Sequence, residues 1–118
     1  MNTTYKDLIV WQKAIKVVVA VYDLTDKFPK EEIFGLTSQM RRAAVSIPSN
    51  IAEGKMRGGD IEFKRFLSIA FASAAELETQ IIISKEIFRA KKFDYSKIDT
   101  NLVEVMKILN KLTEKARA

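Results

Sequence analysis

Glu53, Glu62, Glu76 and Glu78, with Ser46 and Ser49, are the side chains in this sequence best suited to do chemistry. Carboxylates that converge inside a helical protein can bind metal. The di-iron sites of helical bundles, however, draw on Glu-x-x-His pairs, and the chain has no histidine. That leaves a carboxylate-only magnesium site as the conceivable metal chemistry. A serine nucleophile needs a base to take its proton, and the usual histidine base is missing. Gly58-Gly59 reads as a turn, since it lacks the longer glycine pattern that cradles phosphate. No catalytic residue, metal site or cofactor is expected.

The remaining polar residues recur at helical spacing. Gln39, Arg42, Ser46, Asn50 and Glu53 form one stripe, and Glu62, Ser73, Glu76 and Gln80 form another. They are either an exposed functional surface or a buried network between two helices. Buried polar groups must pair, and paired networks set helix register. The structural reading is favoured, with pairings such as Arg42 to Glu76. The basic residues Arg41, Arg42, Lys55, Arg57, Lys64 and Arg65 are the candidate contacts for a nucleic-acid backbone. Net charge is +5 and the isoelectric point about 9.5, a lean toward acidic partners. The charge is spread along the chain, so no segment is a basic arm. Any such binding is expected to be weakly specific and salt-sensitive.

Four helices must position these residues. The first runs from about Asp7 to Phe28. Trp11, Ile15, Val18, Tyr22 and Thr25 recur at steps of three and four, the helical signal. Val17-Val18-Val19 favours a strand locally, but the pattern is too long for one. Phe28-Pro29 ends it, because a residue before proline avoids helical geometry. The second runs from about Glu31 to Lys55, with Leu36, Met40, Ala43, Ala44, Ile47 and Ile51 inward. Pro48 lies within it and predicts a kink, with Ser46 and Ser49 able to satisfy the freed backbone. Gly54 and Gly58-Gly59 mark its end. The third starts near Asp60, a good N-cap, and reaches about Ala90. Its core face includes Phe63, Phe66, Leu67, Ala70, Leu77 and Ile81. The fourth spans about Tyr95 to Ala116, where Ile98, Leu102, Val105, Leu109 and Leu112 make a heptad stripe. Short connections predict an all-α fold: an up-down antiparallel four-helix bundle filling one domain, residues 1–118.

A chain of 118 residues buries roughly two-thirds of its unfolded surface and needs no staple, and it has no cysteine to make one. The start, Met1 to Asp7, lacks the basic and apolar regions of a signal peptide. No run is read as reaching the ~18 apolar residues of a membrane span. A cytoplasmic location and no membrane partner are expected.

Some large apolar residues fall off the core stripes: Val10, Val17 and Val19 in the first helix, and Ile69, Phe71, Ile82, Ile83 and Ile87 in the third. A lone bundle helix shows one apolar stripe, and a further apolar patch implies a partner surface. Self-association is the reading.

One segment is chemically distinctive: Ser46-Ile47-Pro48-Ser49-Asn50-Ile51-Ala52-Glu53-Gly54, after Gln39-Met40-Arg41-Arg42-Ala43-Ala44-Val45. Downstream come Glu62-Phe63, Phe66-Leu67 and Ala75-Glu76-Leu77-Glu78-Thr79-Gln80. With Trp11, Tyr22 and Phe28-Pro29, these resemble the four-helix bundle proteins encoded in intervening sequences of bacterial 23S ribosomal RNA genes. The resemblance covers nearly the whole chain. It implies an up-down bundle assembled as a ring-like homopentamer, without a settled activity. It also implies kinship with accessory proteins of diversity-generating retroelements, basic barrels that bind a reverse transcriptase and nucleic acid. The expected function is that of a non-enzymatic oligomer associating with RNA or DNA, or else a scaffold that recruits a protein. One departure is Ala72 before Ser73, where the family often has glycine.

Overall fold

The structure, a computed structural model, describes residues 4–117, with side chains through Glu114. Met1-Asn2-Thr3 of the start read above, and Ala118, lie outside the described residues. The chain forms α1 (Ile9–Thr25), α2 (Leu36–Met56), α3 (Asp60–Ile87) and α4 (Ser96–Arg117), with short 3₁₀ turns at Tyr5–Asp7, Lys30–Glu32 and Arg89–Lys91. Each helix packs against its neighbours in sequence, and α1 packs on α4. Among the described residues, the backbones of the diagonal pairs α1/α3 and α2/α4 do not come within 8 Å of each other, Cα to Cα. This is the expected four-helix bundle, 47 × 31 × 24 Å.

Local chemistry sets the ends. Thr4 caps the first turn: the Lys6 amide donates to its Oγ1 and its own amide donates to Asp7 Oδ2, each at 3.1 Å. Gly59 takes the cap position of α3, and Asp60 is the first helical residue rather than the cap. Its carboxylate, with that of Glu62, suits the positive end of the helix dipole. Gly54 does not end α2; it lies buried inside it, against α3. Helix α2 continues through Pro48. Ser46 and Ser49 are not spent on its backbone: Ser46 bonds to Ser73, and Ser49 is exposed.

The core contains Met40, Ile47, Ile51, Leu67, Leu77 and Leu109, each almost wholly enclosed. In α4 the heptad residues Ile98, Leu102, Val105 and Leu109 are buried as expected. Leu112 is not; it is exposed, and Thr113 is buried instead, its hydroxyl donating to the Leu109 carbonyl at 2.8 Å. A threonine can point inward here because its own helix accepts its proton.

The face of α1 is a correction. Val10, Ala14, Val17, Val21, Leu24 and Thr25 point inward, while Ile15 and Tyr22 are exposed and Trp11 and Val18 are half-buried. So Val10 and Val17 are core residues, not surface ones. This helix is apolar on nearly every side, so periodicity alone cannot choose its phase. The neighbours do: Lys13 pairs with Glu104 of α4, and Tyr22 stacks under Arg41 of α2. Phe71 is also corrected, being half-buried and packed on the core. A further correction concerns α3. It is long and apolar enough, by length and composition, to cross a membrane, with a mean hydropathy of 1.4 over an 18-residue window. Phe66, Leu67, Ala70, Ala74, Leu77 and Ile81 of this helix are buried within the bundle.

Candidate functional site

The α2–α3 seam carries the polar stripes. Antiparallel packing sets Ser46 opposite Ser73, with their hydroxyl oxygens 2.8 Å apart. Asn50 donates through Nδ2 to the Ser46 carbonyl at 2.8 Å and to Ser46 Oγ at 3.0 Å. Gln80 is buried; its Nε2 reaches Glu76 Oε2 only at 3.5 Å, and its Oε1 has no partner. Glu53 and Glu62 turn instead to arginines. The expected single buried network is therefore three separate groups, and Gln39, Glu53 and Glu76 are exposed. Gln39, Arg42, Ser46, Ser73 and Glu76 line an open cleft of about 350 Å³. Arg42 and Glu76 share that cleft without an ion pair between them.

The six basic residues do not form one patch. Arg41 is built into the α1–α2 contact. Its Nε donates to Thr25 Oγ1 and its terminal nitrogen to Asp26 Oδ1, both at 2.9 Å, and its guanidinium lies 4.5 Å over the Tyr22 ring. Arg42, one residue on, faces outward without an acidic partner among the described residues. Lys55, Arg57, Lys64 and Arg65 gather at the other end, around the α2–α3 turn. There Arg57 pairs with Glu53 at 2.8 Å, and Arg65 binds Glu62 at 3.0 Å. Arg57 and Arg65 also stand 5.0 and 4.7 Å over the Phe66 ring. The hydrogen bond from Arg65, with its charge and that of Arg57, holds the Glu62 carboxyl below the usual carboxylate range. Lys55 and Lys64 have no acidic partner among the described residues. Half of the cationic set is thus already committed to nearby acids.

Large apolar side chains are exposed on two sides. Val19, Ile69, Ile82, Ile83 and Ile87 are exposed as expected. The phase of α1 adds Ile15 and Tyr22, joined by Ile33 and Val45 from the second-helix region. Tyr22, Ile33, Arg41, Arg42 and Val45 line a groove of about 550 Å³. On the other side, Ile82 and Val103 line one of about 320 Å³ with Glu78, Lys85 and Asp99. The sequence sets Ile15 and Tyr22 on the apolar stripe that marks α1 as a helix, and the structure turns both outward. Phe34, 94% exposed, corrects the start of the second helix: α2 begins at Leu36 rather than near Glu31, and Phe34 lies in the connection before it.

No curated protein matches the sequence. A family model described as 23S rRNA-intervening sequence protein matches residues 6–111. The match takes in α1, α2 and α3 whole and most of α4, including the Ser46–Asn50–Ser73 contact and the arginines over Phe66, and by it the chain belongs to the 23S rRNA-intervening sequence protein family.

Proposed function

We propose that this protein is a non-enzymatic, self-associating bundle of the cytoplasm that holds RNA or DNA weakly through repeated basic ends. The observation that carries the reading is the set of large apolar side chains left exposed on two sides of the bundle. Ile82 is 58% exposed and Val19 55%, and burial of each would contribute about 2 kcal/mol before association costs. The family resemblance favours a ring of five copies. Each copy would add one turn bearing Lys55, Arg57, Lys64 and Arg65, and linked weak contacts raise avidity. The absence of His and Cys, and the use of the Ser46 hydroxyl by Ser73, favour a protein that binds rather than transforms.

Light scattering at micromolar concentration tests assembly, with a mass near five times 13.4 kDa expected. A single-copy mass refutes it. Filter binding to single-stranded RNA across a salt series tests the rest. Affinity falling steeply with salt is expected; no binding at low salt refutes that half. A second reading, a scaffold that recruits a protein such as a reverse transcriptase, is favoured by one observation. Ile33 and Phe34 are both exposed just before α2, at the end of the bundle away from the basic turn.

A further inference from the structure

The geometry points to a binding site for a compact zwitterion, a small α-amino acid, in the cleft between α2 and α3. The site stands apart from the basic turn and needs no second copy of the chain. Arg42 and Glu76 reach that cleft from its two walls, each one helical turn from the Ser46–Ser73 contact. Both are exposed, and neither has an ion-pair partner among the described residues. They line the same space without pairing with each other. A cleft that holds one uncompensated charge of each sign suits a ligand that carries both. A phosphate on Arg42 would meet the Glu76 carboxylate, and a metal ion on Glu76 would meet the guanidinium, and like charges brought close repel.

Hydrogen-bonding capacity divides the cleft in the same way. Toward Arg42 there is a surplus of donors. The guanidinium presents a fork of N–H groups that matches a carboxylate. Asn50 Nδ2 faces the Ser46 carbonyl, which can only accept, and donates to Ser46 Oγ as well. Ser46 and Ser73 share one hydrogen across 2.8 Å. Whichever serine donates it, the other keeps a hydroxyl hydrogen, and both serines line the cleft. Toward Glu76 there is a surplus of acceptors. Among the described residues its carboxylate receives one hydrogen bond, from Gln80 Nε2 at 3.5 Å. The buried Gln80 beside it keeps an Oε1 with no donor. A carboxylate therefore fits the Arg42 side, and an ammonium, which only donates, fits the Glu76 side. Ala43, small and 4% exposed, leaves the room between them. The cleft of about 350 Å³ lies near the lower end of the ~300–1,000 Å³ range of small-molecule sites. No large apolar side chain lines it, so the lining favours an amino acid held by its charged head with a small side chain turned outward.

The test is a titration of the full chain with glycine, followed through its backbone amide NMR signals. Glycine is expected to give saturable shifts confined to α2 and α3 around the residues that line the cleft. Two further probes each lack one charge: N-acetylglycine has no ammonium, and glycinamide has no carboxylate. Each should bind at least roughly tenfold more weakly, the loss expected when one charge-assisted hydrogen bond is removed. The variants Arg42→Gln and Glu76→Gln alter exposed side chains, and unchanged helical circular dichroism verifies the fold of each. Arg42→Gln should bind glycine and glycinamide equally, and Glu76→Gln should bind glycine and N-acetylglycine equally. A purely structural role for either residue would not change these preferences. No saturable shift with glycine overturns the inference. N-acetylglycine bound as tightly as glycine also overturns it, since the cleft would then be a plain anion site. So does glycine binding that both variants leave unaltered.

Discussion

Gly54→Ala is the substitution with the most informative sign. In an ordinary exposed helix, alanine in place of glycine stabilises by about 1 kcal/mol. At Gly54 the added Cβ would lie 2.6 Å from Phe66 Cβ, and 3.3 Å from both Phe63 Cδ1 and the Phe63 carbonyl oxygen. Carbon atoms pack at about 3.5–4.0 Å, so α3 must move away by roughly 1 Å. No rotamer change relieves this, because Phe66 Cβ is tied to the α3 backbone and its ring is covered by Arg57 and Arg65. Overpacking of this kind costs about 1–3 kcal/mol. Subtracting the helix-propensity gain leaves a net loss of up to about 2 kcal/mol. For a chain of this length that lowers Tm by up to roughly 10 °C. Thermal and urea unfolding followed by circular dichroism read the effect, with a lower midpoint and an unchanged m-value. Gly59→Ala is the control, since nothing lies within 4 Å of its added carbon; its effect should stay within about 0.5 kcal/mol. A Gly54→Ala protein melting at or above the unaltered one refutes the close approach of α2 and α3.

Tyr95→Phe removes the partner of the fully buried Ser84 hydroxyl, 2.7 Å away, and should cost about 1–2 kcal/mol. Adding Ser84→Ala should cost less than the two single losses summed, which urea melts of the three variants measure. Gln80→Leu removes a buried amide oxygen that has no partner and should raise stability by about 1 kcal/mol; a lower midpoint would show that Oε1 is satisfied. Glu62 has its carboxyl pKa depressed by the Arg65 hydrogen bond and by the charges of Arg65 and Arg57. A depressed folded pKa means the stabilisation is present above the unfolded value and is lost as pH falls through the folded one. Stability should therefore decline as pH drops below the ordinary carboxylate value of 4.5, and Glu62→Gln should flatten that decline. An identical acid limb in the variant would count against the pairing.

The heptad of α4 was legible because Ile98, Leu102, Val105 and Leu109 keep the 4-3-4 step even though Val103, Met106 and Ile108 also stand between them. Its last step was not. Leu112 is the more apolar residue, yet Thr113 lies inside because its hydroxyl finds the Leu109 carbonyl. The basic residues were legible as a set, but their separation into an α1–α2 clamp and a turn cluster depends on which acids fold beside them. Asp26 claims Arg41 from 15 residues away, a relation that spacing does not encode.

Composition and periodicity by themselves determined four helices, their order, the inward face of α2 and that of α4 as far as Leu109, and the lack of a histidine or cysteine centre. These follow from local repeats and from which residue types are present. Only the packed structure decided which way α1 turns, because a helix apolar all round is oriented by its neighbours. Val10 and Val17 went to the core, and Ile15 and Tyr22 to the surface. It also decided why glycine stands at Gly54, where the Cβ of Phe66 on another helix leaves no room for a side chain.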